Sequence, residues 1–229
     1  MNRRIDAVVF DMDGTLFDSM QPVTRGFIDT IVEAGGPRYS PAQIIASFPR
    51  GPSDRMLEHL LGRPVTEAER GAYHRRLDRA AAAMCPYPGV ETALGALNHA
   101  GLRLALFTGA DVVSLELLLA RTGLRERFEV RTGGDEAGRP KPDPAGITLT
   151  CARLGVEASA VAYVGDSEHD MLAARAAGTF AIGAGWGSLW HDGHPAHVIV
   201  RSPQELLAAV QDLASPRAGR DARPAADAV

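Results

Sequence analysis

Two aspartates near the start of the chain have the residue type and spacing for chemistry. Asp11 and Asp13 follow directly on a short apolar run, residues 5–10. Alternate side chains of an extended segment share one face, so both carboxylates can point into one small space. A cation and an electrophile would relieve their mutual repulsion. The pair therefore favours magnesium and phosphate chemistry, and the alternative is a strand-end turn built from Asp and Gly.

A lone lysine is the second chemical signal. The chain has 24 lysine and arginine residues, and Lys141 is the only lysine among them. It lies in a proline-rich stretch, residues 138–144. Because lysine carries a compact ammonium and arginine a wide planar fork, this composition indicates a position that needs the ammonium. Chance in an arginine-rich chain is the alternative.

Hydrophobic periodicity and turn residues predict the elements that position these groups. From residue 89 onward, helices alternate with short β-type runs. We predict helices at residues 90–100, 112–122, 143–154, 168–177 and 203–213, and strands at 102–107, 128–131, 160–164, 179–182 and 197–200. Such alternation is typical of an α/β fold with a mostly parallel sheet covered on both faces.

The predicted strand ends collect polar residues. In open α/β sheets, functional groups gather beyond the carboxyl ends of the strands. Asp11 and Asp13 follow the first strand, Thr108 and Gly109 the second, and Asp166 the fourth. We therefore expect these side chains to meet at one edge of the sheet.

Residues 17–86 are predicted to form an all-helical insert after the first strand. Val23 and Phe27 begin an apolar stripe at helical spacing, which ends at a Gly-Gly-Pro stop. Residues 40–43 and 66–69 carry the capping-box signature of a helix start. We therefore predict a core of residues 1–16 and 87–213, a helical cap at 17–86, and a disordered tail at 214–229.

Composition narrows the class of protein. The net charge is −4 and 45% of the 229 residues are hydrophobic, which provides no electrostatic footprint for nucleic acid. The N-terminal apolar run is shorter than a signal-peptide core or a membrane span, and two cysteines are too few for a disulfide framework. We expect a cytoplasmic monomer or homodimer with neither nucleic acid nor a membrane as partner.

Four short segments carry a resemblance to a known family. In chain order they are D-M-D-G-T, F-T-G, R-P-K-P-D-P and V-G-D-S-E-H-D. Together they resemble the four motifs of the haloacid dehalogenase superfamily, and M-L-A-A-R-A-A-G after the last is similar to its phosphoglycolate phosphatase-like branch. An ordered four-part match is far more specific than any single motif. The resemblance spans roughly residues 5–213 and implies a Rossmann-like core with a mobile helical cap.

The resemblance implies a role for each aspartate. Asp11 would be the nucleophile that forms an aspartyl-phosphate, and Asp13 the general acid that then serves as base for water. The resemblance also implies Mg²⁺, bound by the Asp11 carboxylate, the Asp13 backbone carbonyl and Asp166. Asp170 would orient Lys141 or a metal-bound water, and the alternative for Asp170 is an acidic helix start.

The remaining motif residues would bind the phosphoryl group. Thr108, the amide of Gly109 and Lys141 would contact its oxygens, because positioning and charge neutralisation supply most of such catalysis. In the predicted cap, Arg50 is a candidate for substrate specificity, through a carboxylate or a second phosphate. The alternative is a solvated arginine.

A magnesium-dependent phosphatase acting on a small phosphomonoester, phosphoglycolate-like or a sugar phosphate, is the leading functional hypothesis. Asp13 separates it from dehalogenases, and a cap without lysine separates it from phosphonoacetaldehyde hydrolases. A β-phosphoglucomutase-like phosphotransferase stays open. A phospho-aspartate receiver is less favoured, since Asp11 ends the first strand and precedes a long insert. An inactive scaffold is a further, less favoured alternative.

Three histidines recur at every third position late in the chain. They are His191, His194 and His197, beside Trp186 and Trp190. Histidines at close spacing can bind zinc. Proline and glycine between them favour an ordinary loop instead.

Overall fold

A computed structural model describes residues 4–214, and six strands form one parallel sheet in this part of the chain. The strands are β1 (Ala7–Phe10), β2 (Arg103–Phe107), β3 (Val130–Thr132), β4 (Val161–Gly165), β5 (Phe180–Ala184) and β6 (Val198–Val200). Their spatial order is β3-β2-β1-β4-β5-β6. The first strand, β1, lies inside the sheet and later strands lie on both sides of it, as in Rossmann-type folds. The predicted α/β class with a parallel sheet is confirmed.

Helices connect and cover the strands. They are α1 (Met20–Glu33), α2 (Pro41–Ile45), α3 (Ser53–Leu61), α4 (Glu67–Ala81), α5 (Val90–His99), α6 (Val112–Thr122), α7 (Ala145–Leu154), α8 (Glu168–Ala177) and α9 (Leu206–Ala214). Sequence analysis did not predict α3, whose N-cap residue Pro52 supplies no capping side chain. Within residues 4–214, no helix combines the length and apolar character needed to cross a membrane.

The central strand β1 is buried on both faces. Val8 and Phe10 point into a cluster that includes residues of α5, α6 and α9, whereas Ala7 and Val9 point into a second cluster with residues of α7 and α8. Alternation along a strand sends successive side chains to opposite faces, so an uninterrupted apolar run is what a doubly covered strand requires. This burial holds the end of β1, and therefore Asp11, in a rigid position.

The segment between β1 and α5 contains the helices α1 to α4. Both predicted capping boxes are present, at the starts of α2 and α4. The rings of Phe27 and Tyr73, on α1 and α4, pack with their centroids 4.4 Å apart. The chain enters and leaves this helical segment side by side, because Phe17 and Pro86 form an antiparallel bridge. Of the predicted tail, only Ala214 lies among the described residues, as the last residue of α9.

Gly146 on α7 provides a test of how tightly this helix packs against the sheet. A Cβ at this position would lie 2.0 Å from Cζ of Phe107 on β2. We expect Gly146→Ala to lower the free energy of unfolding by about 1–3 kcal/mol, because the Phe107 ring must move. Gly95→Ala on α5 is the matched control, since a Cβ there meets nothing within 4 Å. This control should be neutral or stabilising by up to about 1 kcal/mol, and equal urea midpoints for the two variants would contradict the expectation.

Candidate active site

The strand ends converge as the sheet topology requires. Phe10 of β1 is in register with Leu106 of β2 and Val164 of β4, so the residues that follow these strands lie at one edge. One cavity is lined by the predicted site residues Asp11, Asp13, Thr108, Gly109, Lys141, Asp166 and Asp170. The structure therefore brings these residues together at one edge of the sheet.

Lys141 lies between two carboxylates in the segment before α7. Its Nζ is 2.5 Å from Oδ1 of Asp11 and 2.6 Å from Oδ1 of Asp170. The ammonium also lies over the rings of Phe107 and Tyr163, at 5.0 and 5.5 Å from their centroids. Burial alone would lower the pKa of Lys141, but the charges of Asp11 and Asp170 raise it well above its ordinary value. Lys141 is therefore a fixed positive charge.

Asp170 is held on both of its oxygens. Its Oδ1 accepts from Lys141 and lies 3.1 Å from the Tyr163 hydroxyl, and its Oδ2 accepts from the hydroxyl of Ser167 at 2.6 Å. Ser167 and Asp170 also form the capping box of α8. Burial would raise the pKa of Asp170, but the charge and hydrogen bond of Lys141 keep it below its usual value. Asp170 thus caps the start of α8 and also holds Lys141 in place. The two interpretations of this residue, an acidic helix start and a group that orients Lys141, are therefore compatible.

Asp13 has a different environment two residues after Asp11. The Ser19 hydroxyl donates to its Oδ1, and Thr108 Oγ1 lies 3.4 Å from its Oδ2. Burial raises the pKa of Asp13 despite the lowering effect of Ser19 and Lys141. Sequence analysis missed Ser19 as a site residue, and its only sequence signal is its position at the start of α1. A carboxyl group with a raised pKa is suited to donate and accept protons.

Asp166 completes a cluster that fits a divalent cation. Carboxylate oxygens of Asp11, Asp166 and Asp170 lie within 4.8 Å of one another. Burial and the charge of Asp170 raise the pKa of Asp166 to about 7, and burial together with Asp170 raises that of Asp11 well above its usual value. When all three carboxyl groups are ionised, Lys141 balances one negative charge, and a doubly charged ion would balance the other two. Oxygen donors of this kind suit Mg²⁺.

The backbone around Asp166 leaves little space. A Cβ at Gly14, where φ is +79°, would lie 2.3 Å from Oδ2 of Asp166, and one at Gly187 would lie 2.2 Å from Asp166 Cβ. The same Oδ2 accepts from the amide of Leu189 at 2.9 Å. Glycine at these positions allows the close approach of backbone and carboxylate that a small ion site needs.

The other candidates lie outside the cluster of three aspartates, although His194 lines the same cavity. Arg50 is exposed at the end of a short 3₁₀ turn and does not line the cavity. The His194 ring packs edge-on against Trp190, and Nδ1 of His197 accepts from the amide of Ala181 on β5. Among residues 4–214, the histidine, cysteine and acidic residues grouped closely enough to bind a metal are the three aspartates.

Comparison with known proteins bears on what this arrangement does. The family model of the haloacid dehalogenase-like hydrolases matches residues 5–178. The chain belongs to this family. A Pseudomonas aeruginosa relative, N-acetylmuramic acid 6-phosphate phosphatase, is 32% identical over 225 residues, covering 89% of this chain and 94% of that protein. A Xanthomonas campestris phosphoglycolate phosphatase is 33% identical over 208 residues, covering 87% and 94% of the two chains.

Solved structures of other proteins share the fold. CbbY from Rhodobacter sphaeroides, crystallised with phosphate, has a TM-score of 0.80 at 24% identity and covers 90% of this chain and 99% of its own. A Thermotoga maritima protein assigned as a β-phosphoglucomutase has a TM-score of 0.67 at 26% identity, with 91% and 99% covered. The predicted family and its Rossmann-like fold are therefore confirmed, and this chain is a haloacid dehalogenase-type hydrolase.

Proposed function

We propose that this hydrolase is a magnesium-dependent phosphatase that acts on a small phosphomonoester through an aspartyl-phosphate on Asp11. The observation that carries the proposal is the position of Lys141, whose ammonium contacts Asp11 and Asp170 on the edge where Asp13 and Thr108 also lie. The relatives named as phosphatases support it. The corresponding partner is a small phosphorylated metabolite.

In the first step, a carboxylate oxygen of Asp11 attacks the phosphorus atom. The bond between phosphorus and the alcohol oxygen breaks, and Asp13 donates a proton to that leaving oxygen. The raised pKa of Asp13, caused mainly by burial, supports its role as the proton donor. Ser19 and Thr108 contact its two oxygens and so fix the direction in which it presents the proton.

In the second step, Asp13 accepts a proton from water. That water attacks the phosphorus of the aspartyl-phosphate, inorganic phosphate leaves, and the Asp11 carboxylate is restored. Lys141, Thr108 and the Gly109 amide hold the phosphoryl oxygens throughout. Mg²⁺ bound by Asp11, the Asp13 carbonyl and Asp166 would supply charge neutralisation of the phosphoryl group.

The test is phosphate release by the purified protein. Phosphoglycolate, sugar phosphates and nucleotides form the screen, with Mg²⁺ in one arm and excess EDTA in the other. We expect release from at least one compound, a loss of more than about 100-fold in EDTA, and recovery when Mg²⁺ is restored, because two carboxylate charges are otherwise unbalanced. Undiminished turnover in EDTA would contradict the metal, and no release from any compound would contradict the phosphatase.

A β-phosphoglucomutase-like phosphotransferase is the second candidate, favoured by the structural match to the Thermotoga maritima protein. Such an enzyme would return the phosphoryl group from Asp11 to a second hydroxyl of the sugar. The two candidates differ in product. Free phosphate accumulates in one case, and a sugar phosphate isomer in the other, so phosphorus NMR of a reaction with glucose phosphates distinguishes them.

A further inference from the structure

The cavity above Asp11 and Asp13 continues into the helical segment as an apolar chamber. The whole cavity has a volume of about 420 Å³, within the range of small-molecule sites. Its wall on the side of the helical segment and α6 includes Val23, Phe27, Phe48, Met56, Leu77 and Leu118. We refer to this part of the cavity, defined by these six residues, as the apolar chamber.

The chamber has a definite depth. Met20, Val23 and Phe27 line the cavity from one face of α1 at spacings of three and four residues. At 1.5 Å per residue, this face extends for about 10 Å. Phe27, the last of these three residues, packs against Tyr73, and both rings are almost fully buried. A chain of several carbon atoms attached to a phosphate at Asp11 would therefore reach Phe27.

Apart from Lys141, the described lining offers no lysine or arginine as counterion for a second anionic group, although His169 and His194 also line the cavity. Burial lowers the pKa of His194 and so favours its neutral form. Of the described residues that line the cavity, Lys141 is the only lysine or arginine, and Asp11 and Asp170 already contact it. Arg50 is absent from the lining. In the apolar chamber, a substrate carboxylate or second phosphate would therefore lose its hydration without gaining an ion pair to lysine or arginine, which is costly.

A further carboxylate in the wall makes the chamber still less suitable for anions. Asp111, the N-cap of α6, lines the cavity, and its oxygens accept from His74, Ser53 and Ser114. Burial would raise the pKa of Asp111, but the hydrogen bonds from His74 and Ser53 hold it well below its usual value. Asp111 is therefore negatively charged, and its oxygens are already engaged as acceptors.

We propose that the preferred substrate is a phosphomonoester whose alcohol carries an uncharged, largely apolar alkyl or aryl body that fills the apolar chamber. This inference rests on the proposed phosphatase function and narrows its substrate class. Burial of each methylene in the chamber stabilises the complex, whereas a carboxylate at the same place meets Asp111 and no cation. Phosphoglycolate is then a poor substrate, despite the names of the relatives.

The first test measures kcat/KM with Mg²⁺ for n-alkyl phosphates from methyl to hexyl. We expect a rise of about fourfold for each methylene until the chamber is filled. Isobutyl phosphate has the shape of phosphoglycolate with the carboxylate replaced by an isopropyl group, so these two form a matched pair. Isobutyl phosphate should exceed phosphoglycolate by at least about tenfold. A flat series, or a preference for phosphoglycolate, would overturn the inference.

A charge placed in the wall should reverse the preference. Met20→Lys puts an ammonium at the partly buried start of the chamber. We expect it to lower kcat/KM for hexyl phosphate at least about tenfold and to raise that for phosphoglycolate. Val32→Lys is the control, because Val32 is an exposed residue of the same helix outside the cavity lining. Equal effects of the two variants would count against the chamber as the binding site.

Calorimetry with alkylphosphonates separates this inference from the proposed function, because binding needs no turnover. With Mg²⁺ present, we expect Kd to fall about fourfold per methylene and isobutylphosphonate to bind more tightly than phosphonoacetate. Phosphate release without chain-length dependence in kcat/KM or Kd would overturn the chamber inference and leave the phosphatase standing. The affinity series without any phosphate release would overturn the phosphatase and leave the ligand class standing.

Discussion

Asp11→Asn is expected to reduce phosphate release by about 10⁴-fold or more, as is typical when an enzyme loses its nucleophile. The amide has the shape of the carboxylate but cannot form the aspartyl-phosphate. Folding should be retained, because Asp170 still holds Lys141 at 2.6 Å and burial already disfavours a charge on Asp11. The measurement is kcat/KM with Mg²⁺ on the best substrate of the screen, together with urea unfolding.

Asp6→Asn is the matched control for this prediction. Asp6 precedes β1 at the opposite end of the strand from Asp11, and its side chain pairs with Arg4 near the surface. Its substitution should leave kcat/KM within about twofold, as for most surface changes. A folded Asp11→Asn protein that keeps wild-type turnover would rule out Asp11 as the nucleophile and, with it, the proposed mechanism.

Lys141→Met should have the second-largest effect, and it should act on both stability and activity. Removing the ammonium leaves the buried carboxylates of Asp11 and Asp170 without their shared partner. We expect a loss of about 3–5 kcal/mol in the free energy of unfolding, as for other broken buried ion pairs. We also expect a fall of about 10²–10³-fold in kcat, because one donor to the transferring phosphoryl group is lost.

Two further variants separate charge from geometry at this position. Lys141→Arg keeps the charge, but a planar fork does not fit where one nitrogen lies 2.5 and 2.6 Å from two carboxylates, so activity should stay low while stability partly recovers. Lys141→Met combined with Asp170→Asn should recover part of the stability without activity, since it removes one of the two carboxylates left without a partner. Wild-type stability and turnover in Lys141→Met would show that the ion pairs are dispensable.

Local features of the chain were predictable from sequence. The helices α6 and α8 have the predicted bounds, and the capping boxes of α2 and α4 are present. These features depend on residues three or four apart, so their sequence signals are short and direct. The helix α3 has no such signal, because Pro52 precedes it in place of a capping side chain.

Contacts between distant residues were not predictable in the same way. The sequence does not distinguish Tyr163 from the other buried residues of β4. Its hydroxyl nevertheless lies 3.1 Å from Oδ1 of Asp170 and 3.1 Å from the carbonyl oxygen of Phe107. Similarly, the Ser19 hydroxyl reaches Asp13 only because the loop after β1 folds back toward the strand end. Both contacts depend on how strands and loops pack, which a residue's type does not indicate.

By itself, the sequence determined the family, the parallel α/β core and the charged groups that gather at its edge. Motif residues such as Asp11, Asp13 and Lys141 are recognisable because their chemistry constrains both residue type and order along the chain. Only the tertiary structure decided that Lys141 contacts both Asp11 and Asp170, that Arg50 lies outside the cavity, and that the cavity ends in an apolar chamber. These distances join residues far apart in sequence, and strand order and helix packing set them rather than any local pattern.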